Sequence, residues 1–173
     1  MLHDTPQIRI FEADEWPVYK ALRLRSLADA PDAFGSTFSR ENEFPDSKWI
    51  SRLKTNPDSW DLPLLAEVDG TPIGLVWGRI DSLVPRLANL YQMWVAPGCR
   101  QLGVGRMLLE EVIAWARSKN VADIELGVTV GNSPAEHLYA QAGFKPFGQP
   151  EPLRPGSDLM CQRLRLRLRD IRL

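Results

Sequence analysis

The stretch VAPGCRQLGVGR, residues 95–106, combines the residue types that bind phosphate groups. It joins a strand-like apolar run to a helical pattern, and the first amides of a helix have no partner within the helix. The helix dipole makes that end partly positive, so phosphate oxygens bind there readily. Gly103 and Gly105 let an anion approach the backbone closely, while Arg100 and Arg106 add charge. The stretch predicts a pyrophosphate site. The alternative is a tight strand-to-helix turn in which the glycines only permit the backbone conformation.

The pattern differs from the dinucleotide-binding fingerprint, which requires a third glycine or alanine where Leu108 stands. A second segment, ELGVTVGNSPAEHLYAQAGF at residues 125–144, contains Asn132, Tyr139 and Gly143. It follows the next strand-like run and opens a second helix. A nucleotide-binding module is an alternative interpretation, and the missing third glycine and this second segment argue against it.

The two segments, in this order and separated by one helix and one strand, resemble the GNAT superfamily of acyl-CoA-dependent N-acyltransferases. The matching pattern V-x-P-x-x-R-x-x-G-x-G falls on Val95, Pro97, Arg100, Gly103 and Gly105. The close match covers residues 90–144, and the elements before and after it are compatible with the family. The resemblance implies an α/β (α+β) fold with a mixed, twisted sheet flanked by helices. Its two central strands, residues 89–95 and 121–130, would splay apart.

The resemblance also implies acetyl-CoA as co-substrate. The pyrophosphate would bind the backbone amides of six successive residues, namely Gln101, Leu102, Gly103, Val104, Gly105 and Arg106. The pantetheine arm would pair with the strand edge at Met93 and Val95, as an added strand does. Asn132 lies where family members often contact the cofactor or its bound waters.

Tyr139 falls on the tyrosine of the family's "LY" pair. The leaving group of acyl transfer from coenzyme A is a thiolate, and a phenol beside the sulfur can donate a proton or hydrogen bond to it. Positioned proton transfer contributes about 10²–10⁴-fold in rate. The resemblance therefore implies Tyr139 as the general acid, against the alternative of a tyrosine buried for packing.

The general base is left open by the sequence. Some family members carry a glutamate two residues after the position of Glu125, and this chain has Gly127 there. Glu125 shares a strand face with Gly127, because strand side chains alternate. Glu67 and Asp81 are further candidates, and a chain of waters could also carry the proton of the acceptor amine.

These residues must be positioned by strands and helices that hydrophobic periodicity predicts. The predicted elements are a strand at 8–11, helices at 14–27 and 46–53, a hairpin at 62–81 around Asp69-Gly70, a strand at 89–97, a helix at 103–119, a strand at 121–130, a helix at 133–144 and a final strand at 159–173. The segment at 29–47 carries three phenylalanines, which predicts a packed loop. We expect residues 34–44, with the hairpin at 77–81, to select the acceptor.

Several other residues invite functional interpretations that the sequence does not favour. Cys99 lacks an obvious histidine partner, which favours an inert thiol, and His137 is expected at the surface. His3, His137 and two distant cysteines show no zinc spacing, so no metal is predicted. Trp77 and Trp94 are expected in the core, although Trp94 could line the acceptor pocket.

The composition limits the class of protein. A single domain over residues 1–173 is predicted from the length, with 44% hydrophobic and 25% charged residues. The formal net charge of −1 gives no argument for nucleic acid or a membrane surface, and the alternating RLRLRLR run at 163–169 predicts a solvated strand face. Without a secretory pattern, and with two cysteines, the expected compartment is the cytoplasm.

The resemblance therefore implies an N-acetyltransferase acting on a primary amine by direct transfer in a ternary complex. A catalytically silent acyl-CoA sensor on the same fold is the alternative, because a fold alone does not fix a function. Protein N-termini, lysines, polyamines, amino acids and amine-bearing toxins all stay open as acceptors. A monomer and a homodimer are both compatible with the sequence.

Overall fold

The computed structural model describes residues 5–54, 60–84 and 86–168, and it shows one mixed sheet of seven strands flanked by helices. The strands are β1 Gln7–Ile10, β2 Asp61–Val68, β3 Thr71–Ile80, β4 Leu87–Val95, β5 Asp123–Thr129, β6 Lys145–Pro152 and β7 Met160–Arg167. The helices are α1 Trp16–Asp29, α2 Phe38–Asn42, α3 Asp46–Leu53, α4 Val104–Ser118 and α5 Ser133–Gln141. The strand order is β1-β2-β3-β4-β5-β7-β6. The predicted α/β (α+β) class is confirmed.

β4 and β5 are the two central strands, and they pair in parallel over a short distance only. Their register runs through Leu87–Asp123 and Ala88–Ile124 and ends at Asn89–Glu125. Every other strand pair in the described sheet is antiparallel. Because β4 continues to Val95 without a partner on its β5 side, the sheet opens into a V. The predicted splay is confirmed.

A β-bulge in β4 lies at the point where the V opens. The β3–β4 register shifts between Leu75 and Trp77, so that two residues of β4 oppose one of β3. Gln92 occupies the bulge with a positive φ of 59°. Its side-chain Oε1 accepts a hydrogen bond of 2.9 Å from the Tyr19 hydroxyl on α1. This contact fixes a backbone conformation that residues other than glycine seldom adopt.

The sheet separates two apolar layers, which we call the α4 face and the α1 face after the helices that cover them. On the α4 face the predicted helical stripe is buried as expected, and its members are Val104, Leu108, Leu109, Val112, Ile113 and Ala116. On the α1 face the core contains Tyr19, Trp49, Trp77 and Trp94. Both predicted core tryptophans are therefore confirmed in the core.

The turns that the sequence marked are formed as predicted. Asp69 and Gly70 both have positive φ, as a two-residue hairpin turn of the primed type requires. Asn120, with a φ of 59°, follows the C-terminal end of α4, and Gly143, with a φ of 98°, follows that of α5. Local chemistry therefore ends these elements where the pattern places their ends.

Three parts of the fold differ from the prediction. The segment at 29–47, predicted as a packed loop, contains the short helix α2 Phe38–Asn42. β6 was not predicted, because its sequence KPFGQPEP has no apolar alternation; it is tolerated as an edge strand, where prolines cost no ladder hydrogen bond. The first helix was predicted from residue 14, but residues Ala13–Glu15 form a 3₁₀ turn and α1 begins at Trp16. The last strand is described to Arg167, and its predicted end at 169–173 lies outside the described residues.

Candidate active site

The loop between β4 and α4 presents free backbone amides at the open end of the V. Gly103 is the residue before the helix and has a φ of 81°, and Gln101 has a φ of 63°. Among the described residues no side chain caps the first turn of α4. The Leu102 side chain projects outward and is 68% exposed. The loop thus leaves its N–H groups available to an anion, which is what phosphate binding needs.

Gly103 and Gly105 serve the loop for different reasons. A Cβ on Gly103 would meet nothing within 4 Å, so its glycine is needed for the backbone angle. A Cβ on Gly105 would lie 3.6 Å from Leu138 Cδ2 and 3.8 Å from Val95 Cγ2, which is ordinary contact. Packing therefore does not require glycine at 105, and close approach by a ligand is the remaining physical reason.

The two arginines of the loop differ in how they are held. Arg100 Nη2 donates to Asp29 Oδ2 at 2.6 Å, and its Nε donates to the Val95 carbonyl at 2.9 Å. The pKa of the Asp29 carboxyl is lowered, first by a hydrogen bond from Trp94 and then by Arg100. Arg106 forms an exposed pair with Glu110 at 2.7 Å. Arg100 therefore braces the end of β4 against α1, and Arg106 projects from the first turn of α4.

The open edge of β4 exposes the backbone groups of Met93 and Val95. The Ala96 amide donates to the Ile73 carbonyl, so the residues that bond to β3 alternate with residues that face β5. Met93 and Val95 fall on the β5-facing side, beyond the last β4–β5 register pair. Arg100 takes the Val95 carbonyl, which agrees with that direction. Apart from the Val95 carbonyl, which accepts from Arg100, this backbone edge has no strand partner and can receive an extended ligand with amide groups.

Tyr139 on α5 lies in the apolar layer of the α4 face and is 5% exposed. Its ring packs edge-on against Phe144 at 5.7 Å between centroids. The hydroxyl makes no hydrogen bond to any residue that the structure describes. Burial raises its pKa, so the phenol stays protonated and can donate a hydrogen bond. Met93 and Val95 pack against the same apolar layer.

Asn132 immediately precedes α5 and is partly exposed. Its backbone amide donates to the Thr129 carbonyl at 3.0 Å, and its own carbonyl accepts from the Glu136 amide. Its side chain does not cap α5. Asn132 is thus fixed through its backbone between β5 and α5, while its side chain is left to contact a ligand.

Gly127, where some relatives carry glutamate, has no room for a larger side chain. A Cβ there would lie 2.6 Å from Cys161 Sγ on the neighbouring strand β7. Burial raises the pKa of the Cys161 thiol, which therefore stays protonated and does not replace a carboxylate base. No sequence pattern singled out Cys161. It lies beside Gly127 only because of the register between β5 and β7.

Glu125 lies on the α1 face with both carboxylate oxygens already engaged. Arg165 donates to Oε1 through Nε at 2.9 Å and Nη2 at 2.6 Å, and Arg163 Nη2 donates to Oε2 at 3.1 Å. The RLRLRLR pattern does put the leucines on the α4 face, with Leu164 buried. The arginine side chains of β7 are 38–68% exposed, in agreement with the predicted solvated face, and two of them are in addition ion-paired with Glu125.

The other two candidate bases lie away from the opening of the V. Glu67 stands on β2, two strands from β4, where it accepts from Arg9 Nε at 2.8 Å. Asp81 follows β3 at the closed end of the V, and its Oδ1 accepts from the Leu83 amide. Neither carboxylate is brought to the β4–β5 opening.

The segment between α1 and α2 lies over the end of β5, as a packed rather than free loop. Thr129 donates to the Asp32 carbonyl at 2.7 Å, and Arg154 of the β6–β7 connection donates to the Phe34 carbonyl at 2.8 Å. Phe34 is buried, while Phe38 is 42% exposed. Trp94 is buried with its Nε1 bonded to Asp29, so it has no surface to offer an acceptor.

The remaining predictions concern metal ligands, membrane-spanning helices and the histidine and cysteine side chains. His137 is exposed, as expected, and Cys99 is a partly buried free thiol packed between the two apolar layers. His3 lies outside the described residues. Within the described ranges no cluster of three or more potential metal ligands occurs, and none of the helices there has the length and apolar character to span a bilayer.

Comparison with known proteins identifies the family and a relative. The model of the acetyltransferase (GNAT) family matches residues 23–144. A mycothiol acetyltransferase from Acidothermus cellulolyticus is 28% identical over 162 residues, which cover 85% of this chain and 47% of that protein. The chain therefore spans about half the length of that relative.

Solved structures share the fold. A GNAT-family acetyltransferase from Streptococcus pneumoniae superposes with a TM-score of 0.80 at 24% identity, covering 95% of this chain and 100% of the other. A second structure, a putative acetyltransferase from Salmonella typhimurium with its cofactor acetyl-CoA, gives a TM-score of 0.79 at 16% identity, covering 96% and 95%. At these identities the likeness shows the architecture.

Proposed function

The chain belongs to the acetyltransferase (GNAT) family, and from that premise we propose that it is an N-acetyltransferase that moves an acetyl group from acetyl-CoA to a primary amine. Transfer is direct, in a ternary complex. The observation that carries the proposal is the open edge of β4, which ends in a loop of free amides, with Tyr139 buried in the apolar layer on which Met93 and Val95 pack. A thioester cofactor needs these three features together.

The residues of the chain fit the parts of acetyl-CoA in order. The amides from Gln101 to Arg106 suit the pyrophosphate, and the backbone of Met93 and Val95 suits the amides of the pantetheine arm. A groove of about 560 Å³ continues between α4 and α5 from Arg106 and Leu138, and it offers room beyond the pyrophosphate. The acetyl-CoA named in the Salmonella structure supports the same ligand for this fold.

Bound acetyl-CoA would supply an activated acyl group as a thioester. The acceptor nitrogen forms a C–N bond to the acetyl carbon, the C–S bond breaks, and the nitrogen loses one proton. Tyr139 donates a hydrogen bond to the sulfur as charge develops there. Since burial raises the pKa of this phenol, we assign it a hydrogen bond or partial proton transfer, with the proton on sulfur completed from solvent.

The proton of the amine leaves by water in this proposal. Glu125 is the candidate base nearest the V, but its oxygens are occupied by two guanidinium groups. Glu67 and Asp81 are placed elsewhere, and Gly127 leaves no space for a carboxylate. Among the candidates that the sequence offered, a chain of waters on the α1 face is therefore the remaining route for the amine proton.

Two measurements test the proposed function. Calorimetric titration with acetyl-CoA, NAD and ATP should show binding of acetyl-CoA alone. A varied panel of amines with acetyl-CoA should then release thiol with at least one acceptor class. Binding without transfer to any amine would favour the acyl-CoA sensor; absence of acetyl-CoA binding would contradict both functions. A cytoplasmic location and a single domain over residues 1–173 stay predictions.

A further inference from the structure

The acceptor side of the V carries a guanidinium group where relatives can carry a carboxylate. Arg163 on β7 pairs with Gly127 on β5, so their side-chain positions share the α1 face. Its Nη1 lies 3.9 Å from the place that a Cβ on Gly127 would take. Its Nη2 donates to Glu125 at 3.1 Å and to Asn89 Oδ1 at 3.4 Å. Asn89 and Glu125 form the last register pair before the V opens, so Arg163 stands at that opening.

Arg163 retains donors that the described residues do not use. Both of its hydrogen bonds are donated by Nη2, so Nη1 and Nε have no hydrogen-bond partner among the described residues. The side chain is 39% exposed, so a ligand can reach it from solvent. Arg165 differs, because it binds Glu125 through two nitrogens and stacks on the Phe147 ring at 4.2 Å. Arg165 holds the carboxylate, and Arg163 is left with capacity to bind another anion.

The charge balance at this position favours an anion. Glu125 is shared by two arginines, so the cluster of Glu125, Arg163 and Arg165 has one more positive than negative side chain. The next arginine along β7, Arg167, faces its own carboxylate, Asp123, at 3.7 Å. A guanidinium is always charged near neutral pH and forms its strongest hydrogen bonds with carboxylates and phosphates. A polyamine would bring further positive charge against this surplus.

The acceptor must approach from this same side. On the α4 face the sheet around the V is covered by α4, α5 and Tyr139. On the α1 face the polar groups at the opening are accessible, and Tyr91 there is 46% exposed. An amine that reaches the acetyl group through this face therefore passes the free nitrogens of Arg163.

We propose that the acceptor is an amine that carries a carboxylate close to its amino group, and that Arg163 binds this carboxylate. The proposal rests on the proposed acetyltransferase function and narrows its acceptor to amino acids or peptides with an acidic residue at the N-terminus. Arg163 orients the acceptor by holding one end, while the amino group points into the V. Some relatives carry a glutamate base at the position of Gly127. In this chain the Arg163 guanidinium lies beside that position and binds the substrate instead.

The first test uses the wild-type protein and matched acceptors. Free L-amino acids are compared with their carboxamides, and peptides beginning with Glu with the same peptides beginning with Gln. The carboxamide has the more acidic ammonium group, so without a carboxylate site it should react faster. We expect the carboxylate member of one of the two pairings to have a kcat/KM higher by roughly tenfold or more. Which pairing responds identifies the source of the carboxylate, and equal or reversed rates in both overturn the proposal.

The second test assigns the preference to Arg163. Arg163→Met should raise the KM of the preferred carboxylate acceptor about tenfold or more and bring the ratio within the pair close to one, with the KM for acetyl-CoA nearly unchanged. Arg163→Lys should keep part of the preference, because it keeps the charge. Arg167→Met, on the same strand face but paired with Asp123, is the matched control and should keep the wild-type ratio.

The outcomes separate this proposal from the function on which it rests. Transfer to amines with no preference for carboxylates, or an Arg163→Met variant that slows both members of a pair equally, would make Arg163 a structural partner of Glu125. Failure of every amine, with no binding of acetyl-CoA, would contradict the acetyltransferase function itself. The wild-type comparison remains valid even if Arg163→Met lowers the thermal stability.

Discussion

At the scale of single residues, Tyr139 carries the clearest chemical prediction. Tyr139→Phe removes one oxygen from a packed ring, so the apolar contact with Phe144 stays. Because the hydroxyl has no partner among the described residues, its loss leaves no protein group unsatisfied. We expect kcat to fall by about 10²-fold, with acetyl-CoA affinity and thermal stability nearly intact. Steady-state kinetics with an identified acceptor, chemistry being rate-limiting, measures this directly.

The acid role of Tyr139 also has a signature in leaving-group and pH dependence. The loss in Tyr139→Phe should shrink for an acyl donor with a more acidic thiol, since a better leaving group needs less help. Burial raises the pKa of the phenol, so the donor stays protonated from about pH 6 to about pH 9 and should add no inflection there. Wild-type kcat in the variant would show that the tyrosine only packs.

Gly103 carries the prediction for cofactor binding. Gly103→Val places a β-branched side chain at a φ of 81° and over the free amides, so we expect acetyl-CoA affinity to fall about tenfold or more. Gly98→Val is the matched control, because a Cβ there meets nothing within 4 Å and its backbone has no positive φ. Calorimetry on both folded variants decides: equal affinities would place the pyrophosphate elsewhere.

At the scale of secondary-structure elements, the prediction that residues 34–44 select the acceptor can be tested at one of their phenylalanines. Phe34 is a poor probe, because it is buried and Arg23 stacks on its ring at 4.8 Å. Phe38, at the start of α2, is 42% exposed and projects from the same segment. Its truncation should therefore change the acceptor site with little effect on the fold.

Phe38→Ala is accordingly expected to raise the KM for the acceptor about threefold or more, while the KM for acetyl-CoA changes little. Leu83→Ala is the control, since Leu83 is 90% exposed in the turn between β3 and β4, at the closed end of the V. Initial-rate kinetics with both substrates varied separates the two constants. Equal changes in both would show that Phe38 supports the fold and does not select the acceptor.

At the scale of the whole molecule, the sheet consists of two parts that meet along a short seam. Strands β1–β4 form one part and β5–β7 the other, joined in the sheet by three register pairs of β4 and β5. A ligand that fills the V would contact both parts at once. It should therefore stabilise the folded chain as a cross-link does, beyond its local contacts with the phosphate loop.

Acetyl-CoA at about 100 times its Kd should thus stabilise the protein by about 2.7 kcal/mol, which corresponds to a rise in Tm of about 5–10 °C. Hydrogen exchange should slow at the amides of Met93 and Val95 in the same complex. NAD at equal concentration is the control and should leave Tm unchanged. A rise in Tm without protection of these two amides would argue that the ligand binds outside the V.

Local sequence chemistry determined a large part of this protein. The α4 stripe follows from a 3.6-residue period, and the Asp69-Gly70 hairpin follows from the two residue types that tolerate positive φ. The phosphate site could be predicted because its glycines, arginines and helix start are neighbours in the chain. The family resemblance added the V and the place of Tyr139, since both segments of the motif lie within residues 90–144. Of these, the helix, the turn and the V are confirmed, whereas the ligand contacts stay predictions.

Only the tertiary structure decided which groups meet across the sheet. Arg163 reaches Glu125 over 38 positions, and Arg100 reaches Asp29 over 71, distances that no local pattern encodes. The arginine face of β7 is exposed as predicted, but its ion pairs with Glu125 were not foreseen for the same reason, because alternation gives the side of a strand but not the partner on the next strand. β6 was not predicted, because its own sequence has no strand pattern. It is a strand through its pairing with β7. Sequence periodicity is a property of one element, whereas a site is made by the register between elements.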